Sequence, residues 1–254
     1  MANAGYKVIL AFATHLYFDH PYEPDPAERG YYWATRFTDT RKSFGFIPEN
    51  IYANADVKRN GTPLTHEEIC GGDICYELNK PENIIGMMGL VWTIRTKDQL
   101  QEMFFPRLLA VAERAWHKAS WEDLEDKILR NVEINRDWKL FANRLGYREL
   151  KYLDEMGIKY RIPVPGAKID GDIVKTNTAF PGLKVEDSDQ NWKSGTITTT
   201  GSKVYLRTRS ADALRTSRVV SLSLTTSSSN PNTHSKSAMI VGLLLFFVYY
   251  ILYK

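Results

Sequence analysis

Apolar and polar positions along the chain change rhythm twice. "YKVILAFA", near the front, is a short unbroken apolar run and reads as a buried strand. "DPAERGYYWATRF" then offers Asp25 as an N-cap and Pro26 at the first helical position, which predicts a helix start. "ENIIGMMGLVW", Glu82 to Trp92, is a second buried strand whose glycines allow close backbone approach. "TKDQLQEMFFPRLLAVAERAW" places Leu100, Met103, Phe104, Leu108, Ala112 and Ala115 on one helical face, with a kink at Pro106. The helical period resumes in "SWEDLEDKILRNVEINRDWKLFANRLGYRELKYLDEMG", where Ser120 and Glu122–Glu125 mark a start and Gly157 a stop. Strand, long connection, strand and helix make an α/β rhythm over residues 1–158.

After the breaker "YRIPVPG" the period drops to two. "KIDGDIVKTN", "GLKVEDSD", "GTITTTGSKVYLRTRS" and "TSRVVSLSL" alternate between Gly, Asn and Asp turns, predicting a small antiparallel β-sandwich over residues 159–224. A Ser/Thr-rich tether, residues 225–237, leads to an apolar run, residues 238–254, "AMIVGLLLFFVYYILYK". That run falls short of the roughly 20 residues a helix uses to cross a bilayer. Ser227 to Ser229, a polar spacer and a hydrophobic end also fit the layout of a lipid-anchor signal. A buried core helix is the weaker reading, because a disordered tether offers it no surface to pack on. Membrane attachment through residues 238–254 is therefore expected, as a helix or as an exchanged lipid signal.

Composition narrows the partners. The 254 residues carry a net charge of only +3, and no basic run interleaves with aromatics, which argues against nucleic acid. Cys70 and Cys75, in "CGGDIC", suit a small-loop disulfide or two free thiols. A zinc site would need two further ligands, and His66 is the one obvious extra. Asn60-Gly61-Thr62 is a glycosylation sequon in a loop-like stretch. Tail, cysteine pair and sequon lean toward the secretory route and a cell-surface or extracellular location. The N-terminal apolar run, about six residues, is too short for a signal-peptide core. Either the chain lacks its beginning or its tail directs insertion.

The densest candidate chemistry is "HLYFDHPYEPDPAERGYYWATRF", His15 to Phe37. Tyr17 and Asp19 are two apart at a strand end and would project the same way. Trp33 follows, and Trp92 closes the next strand. Sugar rings have an apolar C–H face and a hydroxyl rim, so their sites pair flat aromatics with carboxylates or phenols. Four such residues make a carbohydrate pocket one reading, and core aromatics with a capping Asp the other.

Longer word strings extend this. "GYKVIL", "LYFDHPYEPDPAERGYYWATRF", "FGFIPENIYANA", "FPRLLAVAERAWHKASW" and "GSKVYLRTRSADALRTSRVVSLSL" resemble the C-terminal third of the chitobiase-type β-N-acetylhexosaminidases, family-20 glycoside hydrolases. The resemblance runs from Gly5 to about Leu222. It implies an α/β fold: the C-terminal part of a (β/α)8 barrel, from near its seventh strand, followed by an immunoglobulin-like β domain and the hydrophobic tail. It implies that Tyr17 hydrogen-bonds the substrate's acetamido carbonyl, whose oxygen is the nucleophile. Asp19 would hold a hydroxyl of the same sugar, Trp92 would wall its pocket, and Trp33 would stack on the next sugar. No cofactor or metal is implied.

Two departures stand out. The family's catalytic Asp-Glu pair lies in a His-x-Gly-Gly-Asp-Glu motif that this chain lacks. Gly71–Asp73 is followed by Ile74, and Leu153–Glu155 lies in a helical stretch, so both are decoys. Where the family reads Trp-Ser-Glu-Thr, this chain reads Trp92-Thr93-Ile94-Arg95, losing a carboxylate that binds sugar hydroxyls. The expectation is a fragment of a β-N-acetylhexosaminidase that, when complete, cleaves terminal N-acetylhexosamines from chitin oligomers or glycans. The alternative is a non-catalytic, membrane-held or matrix carbohydrate-binding protein.

Overall fold

The computed structural model describes residues 1–223 except 56, 59, 72–73, 171–172, 188–191, 194–195 and 199–202. The tether and apolar tail lie outside the described residues, among which no helix is long and apolar enough to cross a membrane.

Strands β1 (Val8–Leu10) and β2 (Ile84–Met87) pair in parallel, Val8 opposite Ile84 and Leu10 opposite Met87. Parallel pairing requires a long crossover. Here it runs through the short helices α1 (Ala13–Leu16), α2 (Thr40–Phe44) and α3 (His66–Cys70). Both strands form where the apolar runs placed them, but they are only half covered. Leu10 and Met87 pack on Leu16, Phe18, Phe46 and Val111, whereas Ile9 and Ile85 are 50% and 58% exposed. Alternation sends the second pair to the opposite face. Gly89 is needed where it stands, since a Cβ there would lie 2.6 Å from the Phe18 ring.

The helix expected from Asp25 does not form. Asp25 Oδ1 accepts from Ala27 N at 2.8 Å and its carbonyl accepts from Glu28 N, closing one turn. Tyr31 N then donates across the loop to Asp19 O at 2.8 Å. The side chain satisfies the backbone locally, and the chain's next bonds go to its opposite strand of loop rather than to a following turn.

Pro106 breaks the long helix into α4 (Lys97–Phe104) and α5 (Arg107–Trp116), with a cis Phe105–Pro106 bond. The break restarts the helical phase, so Ala112 and Ala115 are exposed and Arg107, Ala110, Val111 and Arg114 are buried instead. Helix α6 (Lys127–Arg144) starts later than Ser120, at Asp126, whose carboxylate accepts from Ile128 N and Leu129 N. A π turn, Leu145–Glu149, leads into α7 (Leu150–Glu155), and Gly157, at φ 66°, ends the run.

The C-terminal region comprises β3 (Gly166–Asp170), β4 (Ile173–Asn177), β5 (Lys184–Glu186), β6 (Trp192–Lys193), β7 (Thr196–Thr198), β8 (Lys203–Arg209) and β9 (Val220–Ser223). They form two antiparallel sheets, β3-β4-β7 and β6-β5-β8-β9. Val174 from one sheet meets Val185, Val204 and Leu206 from the other. A second core joins the helices to this region: Leu145, Leu150 and Leu153 pack with Tyr160, Phe180 and Leu183.

His15, between α1 and the rest, is buried against Phe12 and Phe46, its Nδ1 2.8 Å from Thr14 Oγ1. Burial, and then the Lys42 charge, pull its pKa from 6.5 down to about 3. The unfolded chain therefore takes up this proton first as pH falls. Stability from this group is whole above pH 6.5 and drains toward pH 3, by up to about 1.4 kcal/mol per pH unit. His15→Phe, which cannot titrate, should flatten urea-measured stability across that window. An unchanged slope would show that His15 does not govern acid sensitivity.

Candidate functional site

The crossover leaves β1 by way of α1, and Tyr17 returns to extended backbone to bridge Leu90 in parallel. That bridge sets Tyr17 at the mouth of the two-stranded sheet, where parallel strands carry their sites. The loop then folds back so that Trp33 sits over the strand end. Trp33 Nε1 donates to Asp19 Oδ2 at 2.7 Å, and its ring meets Tyr17 edge-on at 5.0 Å. Asp19 is buried, and its Oδ1 has no hydrogen-bond donor among the described residues. A phenol, a buried carboxylate with one oxygen unpaired among the described residues and a half-exposed indole thus converge.

His20 belongs to this cluster and was not singled out by sequence reasoning, although it adjoins Asp19. It is fully buried, stacks on Trp33 at 4.7 Å, and its Nδ1 lies 2.7 Å from Tyr31 O. Burial, the largest influence, lowers its pKa. A neutral ring donating to Tyr31 O holds both the indole and the return strand of the loop.

Arg107 was also missed. It is fully buried, and among the described residues its guanidinium donates to backbone carbonyls. Nη2 reaches Phe18 O at 2.7 Å and Nη1 reaches His20 O at 2.8 Å and Thr38 O at 2.9 Å. Nε reaches Met103 O at 3.1 Å. The group lies 3.7 Å from the Tyr22 ring centroid and 4.9 Å from that of Phe18. One side chain therefore ties the start of the loop, its end and helix α4. The signal was an arginine directly after a proline and directly before the apolar run Leu108–Ala112.

Gly30 makes the return possible. Its φ is 142°, and an added Cβ would stand 2.4 Å from Pro21 N and 2.8 Å from Asp19 O, both backbone atoms. Gly30→Ala should pull Trp33 off Asp19 and Tyr17 while leaving the cores intact. The expected result is loss of the near-UV circular-dichroism signal of the Tyr17–Trp33 pair with an unchanged far-UV spectrum. Retention of the aromatic signal would mean the loop accommodates a side chain.

Trp92 lies two residues beyond Leu90, at the same end of the sheet, and is 61% exposed. Its neighbour Thr93 adopts φ 58°, which is uncommon for a β-branched residue. Tyr17, Asp19 and Trp33 are brought together. Trp92 flanks them.

The remaining candidates fall outside the cluster. Cys70 and Cys75 are disulfide-bonded, Cα atoms 5.0 Å apart. His66 lies within 4.8 Å of both sulfurs, but the bond occupies the thiols that a metal would require. Asn60 is exposed, its Oδ1 accepting from Thr62 Oγ1 at 2.8 Å. Asp154, of the decoy Leu153–Glu155, accepts from Tyr160, Arg215 and Asp212 N and is a structural link. Of the other decoy, Gly72 and Asp73 lie outside the described residues.

Two family models match the chain: the glycosyl hydrolase family 20 catalytic domain at residues 1–119, and the chitobiase/beta-hexosaminidase C-terminal domain at residues 149–219. The chain is 40% identical over 240 residues to the N,N'-diacetylchitobiase of Vibrio harveyi, covering 87% of this chain and 26% of that protein. It is 41% identical over 209 residues to a beta-hexosaminidase of Vibrio vulnificus, covering 74% of this chain and 24% of that protein. Among solved structures, the GH20 beta-N-acetylhexosaminidase of Streptomyces coelicolor A3(2) is similar at 27% identity and a TM-score of 0.41, over 63% of this chain and 24% of that one. A catalytic-domain segment followed by this C-terminal domain defines a chitobiase-type glycoside hydrolase region. The chain belongs to glycosyl hydrolase family 20, and it spans about a quarter of the length of these curated relatives.

Proposed function

We propose that this chain is the sugar-gripping part of a β-N-acetylhexosaminidase acting on terminal N-acetylhexosamines of chitin oligomers or glycans. The observation that carries the reading is Asp19, a buried carboxylate with one oxygen bound by Trp33 and the other buried without a donor among the described residues, a bond that a sugar hydroxyl would supply. Tyr17 donates its phenol to the acetamido carbonyl, which directs that oxygen at the anomeric carbon. As the acetamido oxygen bonds to that carbon, the glycosidic bond breaks and its oxygen takes a proton. Trp33 offers its face to the adjoining sugar, and Trp92 walls the first one.

The acid that gives that proton, and the carboxylate that orients the acetamide, come in this reading from residues beyond the chain. The parallel pair β1 and β2 supports assignment to the seventh and eighth strands of a (β/α)8 barrel. The exposed Ile9 and Ile85 suit a face that further barrel structure would cover. The two C-terminal sheets are read as an immunoglobulin-like sandwich. Residues 238–254 are read as a membrane or lipid anchor and Asn60 as a glycan site, which would put the protein at the cell surface or outside it.

A second reading, a non-catalytic carbohydrate-binding protein, is favoured by the sequence Trp92-Thr93-Ile94-Arg95, which lacks a hydroxyl-binding carboxylate after Trp92. Calorimetry with di-N-acetylchitobiose and release of nitrophenol from nitrophenyl-N-acetyl-β-glucosaminide test both. The 254-residue chain should bind the disaccharide without hydrolysing the nitrophenyl sugar, and Trp33→Ala should weaken binding about tenfold. Adding a polypeptide that carries the family's Asp-Glu segment should restore turnover in the first reading and not in the second. Hydrolysis by the chain alone would refute the missing-acid account, and absence of binding would refute the sugar site.

A further inference from the structure

The acid-rich half of the loop, Glu23 to Glu28, takes no part in the cluster around Asp19. Its three carboxylates face two arginines from the C-terminal part of the chain. Arg161, between α7 and β3, donates from Nε to Glu28 at 2.7 Å and from Nη2 to Glu23 at 2.8 Å, with a second Nη2 contact to Glu28. Arg218, between β8 and β9, reaches Asp25 at 2.6 Å and Glu23 at 3.3 Å, with its Nε 3.8 Å from Glu28. The hydrogen-bonded pairs join residues 133 to 195 positions apart.

The Arg161 pairs are not the exposed ion pairs that contribute little, whereas Arg218 and Asp25 are more open, at 27% and 39%. The side chains of Glu28 and Arg161 are 6% and 14% exposed, and Arg161 N also donates to Phe105 O at 2.9 Å. Arg161 engages Glu28 through two nitrogens, which fixes direction as well as distance. Burial, followed by the neighbouring Glu28, pushes the Glu23 carboxyl above its ordinary range. Three crowded acids would drive the segment apart without the two cations. The segment forms neither helix nor strand, and ordering such residues costs conformational entropy, so an outside tether decides where it lies.

We propose that Arg161 and Arg218 are positioning residues for the sugar site: the C-terminal β region holds Glu23–Glu28, and this segment sets Gly30 to Trp33 over Tyr17 and Asp19. The inference rests on the reading of Tyr17, Asp19 and Trp33 as that site. It gives the C-terminal domain a part in ligand binding without a residue in contact with the ligand, and it answers why the loop is rich in acids as well as rings. The rings of Tyr17, His20 and Trp33 gather at the site, and the acids face Arg161 and Arg218.

The test uses the full chain, with amide hydrogen exchange across residues 29–35 and calorimetry with di-N-acetylchitobiose. In Arg218→Gln and Arg161→Gln, exchange in that stretch should rise about tenfold while β8 and α6 keep their protection. Affinity for the disaccharide should fall in step, by about fivefold or more. Arg218→Lys, which keeps a cation beside Asp25 and Glu23, should recover most of both. Should an arginine variant fail to fold, Glu28→Gln cuts the tether from the loop side and leaves the β region untouched. Unchanged exchange at residues 29–35 in both Arg218→Gln and Glu28→Gln overturns the proposal. So does faster exchange with unchanged affinity. Failure of the unaltered chain to bind the disaccharide counts against the sugar site instead, and the exchange data still judge the tether.

Discussion

Arg107→Lys should cost about 3–5 kcal/mol of stability and release the loop from both ends, although it preserves the charge. The guanidinium serves carbonyls of Phe18, His20, Thr38 and Met103 at once, against the rings of Phe18 and Tyr22. An ammonium has three donors on a single point and cannot span them. At least one buried carbonyl is left unpaired, at about 1–3 kcal/mol each, and the stacking on two rings is lost as well. Urea unfolding measures the first effect and the Tyr17–Trp33 circular-dichroism signal the second. If Arg107→Lys stays within about 1 kcal/mol of the parent, the clamp is not what secures this loop.

Gly146→Ala should lower the melting temperature by about 4–8 °C, against helix propensity. Gly146 lies in the π turn between α6 and α7, where alanine would ordinarily add about 1 kcal/mol. Here its methyl would stand 1.9 Å from Pro181 O and 2.9 Å from Pro181 C. These are backbone atoms, anchored beside Phe180 and Leu183 in the core that joins helices to β region. Overpacking of this kind costs about 3 kcal/mol, so the clash outweighs the propensity by about 2 kcal/mol. A melting temperature that rises would show that the β region can step away from the helices.

Much of the framework was legible because it is written locally. Unbroken apolar runs marked β1 and β2, Pro106 marked the helix break, Gly157 the helix end, and alternation the C-terminal strands. Tyr17 and Asp19 stood out by their spacing, Trp33 and Trp92 as rings near strand ends, and resemblance to family 20 proposed a role for each. Local signals misled where a distant partner or a phase change intervened. Asp25 and Pro26 spell a helix start, but Asp25 is held by Arg218, 193 positions away. Ala112 and Ala115 follow the apolar face of α4 on paper, and the break before Arg107 turns them outward.

What the sequence by itself determined is the α/β order, the family and the residue types on which the proposed sugar site rests. What only the tertiary structure decided is which charges are buried and what they hold. Nothing in the local pattern around Arg107, Glu23 or Glu28 marks these charges as drawn inward. Burial of a charge depends on partners supplied across the fold, carbonyls in one case and Arg161 and Arg218 in the other. Hydrophobic periodicity reports the face an element presents. It carries no record of what arrives to meet it.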